Sequence, residues 1–185
     1  MRSNSYLMRW KGRILAIAAA GALTLAIGPA PAMGSSGGTA VDGSDVPAGG
    51  KAKLSHGEAI APADAPRKVQ RAIEFANRIN DKPYKWGGGH GGWKIDKGYD
   101  CSGAVSYALH GAKMLDDPLP SGPLTKWGEK GKGEWITVYA NSGHAFAVIA
   151  GLRWDTSGDT HGTGPRWHKD MRSGHGYKKR HFEGY

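Results

Sequence analysis

The spacing of the apolar residues changes once along this chain, and the change restricts the folds open to it. Before about residue 116 the apolar residues recur at three- and four-residue steps, which is the spacing of amphipathic helices. Beyond Trp127 they occur in short runs separated by turn residues, which is typical of β-strands. Helices followed by short strands predict an α+β fold with N-terminal helices and a small antiparallel sheet.

Two helices are predicted in the first part of this region. The first begins near Asp64, has Pro66 in its first turn and ends at about residues 80–83. The second begins directly after Cys101 and ends before Asp116. The apolar positions of the first helix are Val69, Ala72, Ile73, Ala76 and Ile79.

Strands are predicted at 135–139, 144–150 and 152–156, with shorter ones near 164–167 and 177–182. These runs are rich in β-branched and aromatic residues, and a glycine separates the second run from the third. The strand segments therefore make up about half of the chain beyond residue 127.

A two-residue hairpin turn at Ala150 and Gly151 would fix the register of the two strands that it joins. In that register Asp155 is a diagonal neighbour of His144 on the same face of the sheet, within reach of its side chain. A slip of one residue would present Thr156 instead. The sequence thus predicts a His–Asp pair that depends on the turn.

The N-terminal residues have the pattern of a secretory signal peptide. Four basic residues and no acid precede an uncharged run of 15 residues, Ile14 to Gly28, and small residues with two prolines follow. The run is shorter than the roughly 20 residues that span a bilayer. We predict a signal peptide over residues 1–33 and a secreted, cell-wall-associated protein with no stable membrane insertion after cleavage; the alternative is an uncleaved membrane anchor.

Composition divides the rest of the chain into two parts. Residues 34–63 are mostly small or polar, which predicts a flexible Gly/Ser/Ala/Pro linker. Residues 64–185 contain most of the aromatic residues and are predicted to be the folded domain.

The charge of the chain bears on its partners. The chain has 25 basic and 16 acidic residues, and cleavage of the signal peptide would remove four of the basic ones. The remaining positive charge suits a protein that works beside an anionic polymer, and export argues against nucleic acid as a partner.

Cys101 is the one cysteine of the chain, which excludes an intramolecular disulfide and a multi-thiolate zinc site. It follows a glycine-rich loop and begins a predicted helix, where the helix dipole and unpaired N–H groups favour a thiolate. The same N–H groups can bind the oxyanion of an attacked carbonyl. The alternative interpretation is a small buried apolar residue.

A nucleophilic cysteine needs a base, and His144 opens a predicted strand where its ring can stand at the edge of the sheet. A carboxylate at Asp155 would fix the tautomer of that imidazole and stabilise its protonated form. The alternatives are a packing or surface role for His144 and a solvated carboxylate beside a turn for Asp155. Together the three residues predict a Cys–His–Asp arrangement.

Three segments resemble the motifs of the NlpC-type cell-wall peptidases: Tyr84 to Gly88 (YKWGG), Asp100 to Gly103 (DCSG), and Ser142 to His144 leading into a strand. That family consists of papain-like cysteine endopeptidases that act on bacterial peptidoglycan stem peptides. The resemblance covers about residues 64–160. It departs from the family in a longer loop after Gly88 and in Ala145, where valine is common.

The resemblance implies a role for five residues. Cys101 is the nucleophile, His144 the base, and Asp155 stands at the third position, where histidine, asparagine or glutamine is more usual. Tyr84 matches a tyrosine that helps the oxyanion region, and Ser102 matches a serine associated with substrate binding. The stretch from about residue 161 matches nothing in the motifs and is predicted to be an extension over the cleft.

The sequence therefore predicts a secreted cysteine endopeptidase that hydrolyses an amide bond in peptidoglycan stem peptides, acting as a monomer without a cofactor. One alternative is a non-catalytic wall-binding module on the same scaffold, and another is an amidase or acyltransferase with the same Cys–His pair. The other histidines lack a metal-binding spacing, and Gly87 to Gly92 lacks the Lys-Ser/Thr ending of a phosphate loop.

Overall fold

The computed structural model describes residues 50–158 and 164–185, so the predicted signal peptide and the first half of the predicted linker lie outside the described residues. The described part contains helices α1 to α3 and strands β1 to β8. The helices are α1 Arg67–Arg78, α2 Cys101–Gly111 and α3 Ser121–Leu124. The strands are β1 Lys53–Ser55, β2 Glu58–Ile60, β3 Glu129–Lys130, β4 Ile136–Ala140, β5 Ala145–Ile149, β6 Leu152–Asp155, β7 Arg166–His168 and β8 Lys178–His181.

Six of these strands form one antiparallel sheet in the order β3-β8-β4-β5-β6-β7, and β1 pairs with β2 in a separate hairpin. The two longer helices precede the sheet in the chain, and Cys101 is the first residue of α2. The predicted α+β class, with the cysteine at a helix N-terminus, is therefore confirmed.

The hairpin of β5 and β6 has the predicted register. Ala150 and Gly151 have φ angles of 45° and 82°, the left-handed conformations of a tight two-residue hairpin turn. Ala147 consequently lies opposite Trp154, and Ile149 opposite Leu152. This register brings Asp155 to the end of the sheet at which β5 begins.

Helix α2 lies in the core, in contact with α1 and the sheet. Ten of its eleven residues are buried, whereas α1 buries only one face, which includes Val69 and Ile73. Trp154 in β6 is fully buried, and its indole Nε1 donates a hydrogen bond to the carbonyl of Ala104 at 3.1 Å. The first turn of α2, and with it Cys101, is thereby tied to the strand that carries Asp155.

Part of the predicted linker is ordered structure. Lys53–Ile60 forms the β1–β2 hairpin, with His56 and Gly57 in left-handed conformations at the turn. The amide of Asn77 bonds both the N–H and the carbonyl of Ala59, at 3.1 and 2.9 Å. The linker prediction is wrong for these residues, because contacts with α1 stabilise a segment whose own composition favours no structure.

The residues after 163 complete the sheet. Strand β7 pairs with β6 and strand β8 with β4, and Trp167 packs into the core. The prediction of an extension over the cleft is therefore wrong for β7 and β8. Both strands lie where the sequence predicts short strands, near 164–167 and 177–182, but runs of three and four residues do not indicate which sheet they join.

Candidate active site

Cys101 is placed by the cap of helix α2. The carboxylate of Asp100 accepts a hydrogen bond from the backbone N–H of Gly103 at 2.7 Å, which is the standard interaction of an N-cap residue. The cap starts the helix at Cys101, so the positive end of the helix dipole lies at the thiol. Cys101 is 8% exposed and lines a cleft.

The YKWGG segment packs directly against the first turn of α2. The backbone N–H of Asp100 donates to the carbonyl of Gly88 at 3.2 Å, and the N–H of Lys85 donates to the backbone carbonyl of Tyr99 at 3.1 Å. A β-carbon at Gly103 would overlap the carbonyl oxygen of Gly88. Glycine at 103 is therefore required by this close contact between the loop and the helix.

Substitution of Gly103 by alanine is expected to lower the free energy of unfolding by about 3 kcal/mol, because the methyl group must displace the backbone of Gly88. Thermal unfolding should show a midpoint lower by roughly 10 °C. Gly91→Ala, in the loop before α2, is the control, since a β-carbon there has no atom within 4 Å. Equal midpoints for the two variants would contradict the close contact.

His144 is oriented by the turn that precedes β5. The side-chain oxygen of Asn141 accepts hydrogen bonds from the N–H groups of Gly143 and His144, each at 2.9 Å. This turn places the imidazole at the end of the sheet, where its Nε2 lies 2.9 Å from Asp155 Oδ1. The predicted proximity of His144 and Asp155 is thus present in the structure.

The surroundings of His144 favour its protonated form. Burial lowers its pKa, but hydrogen bonds to Asp155 and to Cys101, together with the negative charges of both, raise the pKa of His144 to about 9. The thiol and the carboxylate thus both interact with one imidazole. Since Nε2 faces Asp155, the nitrogen left for Cys101 is Nδ1.

Asp155 is held by two arginines that the sequence analysis did not include. Its side chain is fully buried, and Oδ2 accepts hydrogen bonds from Arg153 Nη1 at 2.7 Å and from Arg172 Nη1 at 3.0 Å. Burial raises the pKa of Asp155, but the bonds from His144 and Arg172 outweigh this and hold the pKa below its ordinary value. The carboxylate is therefore ionised and fixed in orientation. Arg153 could have been found from the sequence, since it precedes Asp155 by two residues in a predicted strand and so shares its face.

The thiol opens on a cleft of about 460 Å³. Tyr84 and Ser102 line the cleft, as do Ser142 and Gly143, the two residues before His144. Burial and the nearby negative charges of Cys101 and Asp100 raise the pKa of the Tyr84 hydroxyl, which keeps it a hydrogen-bond donor. The remaining lining residues are Trp86, Gly87, His90, Asp100, Pro120 and Ser121.

A second histidine–carboxylate contact lies on the same cleft. His90 Nε2 is 3.0 Å from Asp100 Oδ1 and 3.2 Å from Ser102 Oγ, and Ser102 Oγ donates to Asp100 at 3.0 Å. Burial raises the pKa of Asp100, but these bonds and that of Gly103 lower it below the usual range. No spacing in the sequence connects His90 with Asp100 and Ser102, because a glycine-rich loop separates them.

Two features that bear on function are absent from the part of the chain that the structure describes. Across 50–158 and 164–185, no three side chains among histidine, cysteine, aspartate and glutamate are grouped so as to hold a metal ion. No helix in the same ranges has the length and apolar character needed to cross a membrane.

No protein-family model and no curated protein matches this chain. Several solved structures are similar to part of it. One is the structure of Rv1477, a hypothetical invasion protein of Mycobacterium tuberculosis, with 23% identity and a TM-score of 0.45 over 63% of this chain. Two others are variants of the resuscitation promoting factor interacting protein RipA, at 23% identity and a TM-score of 0.46. They cover 64% of this chain, and the aligned parts are 67% and 66% of their own lengths. The chain spans 65% of the Rv1477 structure, slightly less than two thirds.

Proposed function

We propose that this protein is a cysteine endopeptidase that hydrolyses an amide bond in peptidoglycan stem peptides. The observation that carries the proposal is the position of His144 between Cys101 and Asp155, with the thiol at a helix N-terminus beside an open cleft. A nucleophile, a base and a group that orients the base are the three elements of acyl transfer by a cysteine enzyme.

The acylation step follows from this arrangement. In the resting site, Nδ1 of His144 already holds the proton of the Cys101 thiol, and the thiolate attacks the substrate carbonyl to form a tetrahedral intermediate. Asp155 holds the imidazolium through Nε2 during this step. When the intermediate collapses, the C–N bond breaks, and the imidazolium gives its proton to the departing amine.

The oxyanion forms beside the first turn of α2. The N–H of Gly103 bonds the Asp100 side chain, and the N–H of Ala104 bonds the Asp100 carbonyl. The backbone N–H of Cys101 and the Tyr84 hydroxyl are the two donors that we assign to the oxyanion. In deacylation, water loses a proton to His144 and attacks the thioester, which releases the acid and restores the thiol.

The substrate class rests on the three motifs, and the cleft is consistent with it. Its lining includes the polar groups of His90, Asp100 and Ser102 next to the exposed ring of Trp86. Such a lining can bond the amide and carboxyl groups of a short peptide. Export through the predicted signal peptide over residues 1–33 would deliver the protein to the cell wall.

Digestion of purified sacculi by the full chain without its signal peptide tests the proposal. Mass spectrometry of the soluble products should show stem peptides cut between two amino acids, with one new amine and one new carboxyl group per cut. Cleavage between the sugar and the first amino acid would indicate an amidase instead. Transfer of the acyl group to an added amine would indicate an acyltransferase, and binding of sacculi without product would indicate a wall-binding module.

A further inference from the structure

The two oxygens of Asp155 are divided between different partners. Oδ2 accepts from both guanidinium groups, whereas Oδ1 accepts from His144 Nε2 at 2.9 Å and from the N–H of Ser157 at 3.2 Å. The two arginines therefore hold the carboxylate in the rotation that turns Oδ1 toward the imidazole. Arg153 lies in β6 itself, but Arg172 comes from the segment that follows β7.

The two arginines differ in what else they bond. The side chain of Arg153 is 3% exposed, and it donates to the backbone carbonyls of Asp170 and Ser157 at 2.8 and 3.0 Å. Arg172 is 31% exposed, and its Nη1 lies within 3.3 Å of three side chains, those of Asp155, Ser157 and His144. Arg153 therefore secures the backbone of this region, whereas the contacts of Arg172 are directed at the His–Asp pair.

We propose that Arg172 is a positioning residue that sets the acidity of the His144 imidazole from the side opposite to the thiol. The inference rests on the proposed function and extends it, because the segment beyond β7 then takes part in catalysis. No sequence motif includes Arg172, since the resemblance to NlpC-type peptidases ends near residue 160.

The sign of the effect follows from the charges around His144. Asp155 and Cys101 face it and favour the imidazolium. Arg172 Nη1 lies 3.3 Å from Nε2, and its like charge opposes the imidazolium. Arg153 contributes from behind Asp155, and the ring of Tyr177 stands edge-on at 6.3 Å. Removing the Arg172 charge would leave the carboxylate held by Arg153, so protonated His144 would become more stable and a weaker acid.

An NMR titration of the imidazole measures this effect without reference to hydrolysis. In the wild type, the signal of His144, assigned by its absence in His144→Gln, should titrate with a midpoint near 9. In Arg172→Gln the midpoint should rise by about one pH unit, since a unit charge within 4–6 Å moves a pKa by 1–3 units and this one is partly solvated. Arg172→Lys keeps the charge and should move the midpoint much less than Arg172→Gln does.

Lys179→Gln is the matched control. Lys179 is an exposed cation, and it lines a surface cavity that Arg172 also lines, together with Tyr139 of β4 and Phe146 of β5. This substitution should leave the midpoint unchanged. If Arg172→Gln has the thermal stability of the wild type, an unchanged or lower midpoint of the His144 titration would overturn the inference. Arg172 would then only stabilise the fold of its segment.

Hydrolysis provides a second measurement. The kcat of Arg172→Gln should fall roughly threefold with KM unchanged, because a weaker acid protonates the leaving amine more slowly. A wild type that does not hydrolyse peptides would refute the proposed function but not the titration.

Discussion

Replacement of Cys101 by alanine is expected to reduce kcat/KM for hydrolysis of stem peptides by about 10⁵-fold, since it removes the atom that forms the acyl intermediate. The change from thiol to methyl group is small and occurs at a buried position, so the fold should be retained. Release of new amines from sacculi, followed over time at equal enzyme concentration, measures the loss.

Two controls make this result specific. Because the chain has one cysteine, iodoacetamide should inactivate the wild type at a single site, and mass spectrometry should locate the label on Cys101. Cys101→Ala should still bind sacculi, because the rest of the cleft is unchanged. Equal rates of release by the variant and the wild type would show that the cysteine is not the nucleophile.

Replacement of His144 by alanine is expected to lower kcat/KM by about 10⁴-fold. The variant lacks both the base that takes the thiol proton and the acid that protonates the leaving amine. It should also abolish the ionisation near pH 9 that we assign to the imidazole. Steady-state kinetics between pH 5 and 10 would report both losses, with the falling limb above pH 9 present only in the wild type.

A double-substitution experiment separates His144 from Asp155. If the carboxylate acts through the imidazole, Asp155→Asn should lower kcat/KM strongly in the wild type. The same substitution should leave kcat/KM nearly unchanged when His144 is already alanine. His175→Ala provides a control for the loss of an imidazole, since His175 is exposed. Additive effects of the two substitutions would mean that Asp155 does not act through His144.

The contact between His144 and Asp155 could be predicted because it depends on a short stretch of chain. A turn at Ala150 and Gly151 determines the whole register of β5 and β6, and register determines which side chains are neighbours. The position of Cys101 at the start of α2 could be predicted for a similar reason, since apolar residues with helical spacing follow it directly.

Contacts between distant segments could not be predicted in this way. His90 reaches Asp100 through a glycine-rich loop, whose conformation depends on backbone angles that many sequences allow. Arg172 reaches Asp155 only because β7 pairs with β6 and turns the following segment back over the sheet. The β1–β2 hairpin depends on Asn77 in α1. Each of these contacts joins elements whose relative position is fixed only by the complete fold.

The backbone bonds at the base of the loop after Gly88 have a consequence for how such proteins diversify. Backbone hydrogen bonds join the N–H of Lys85 to the carbonyl of Tyr99 and the N–H of Asp100 to the carbonyl of Gly88. The two ends of the loop are therefore held together before the chain enters α2. Residues 89–98 therefore form an excursion whose length can change without moving the sulfur, provided that the contact of His90 with Asp100 is kept. Exchanging this excursion between homologous chains would offer a route to altered substrate preference on an unaltered catalytic framework.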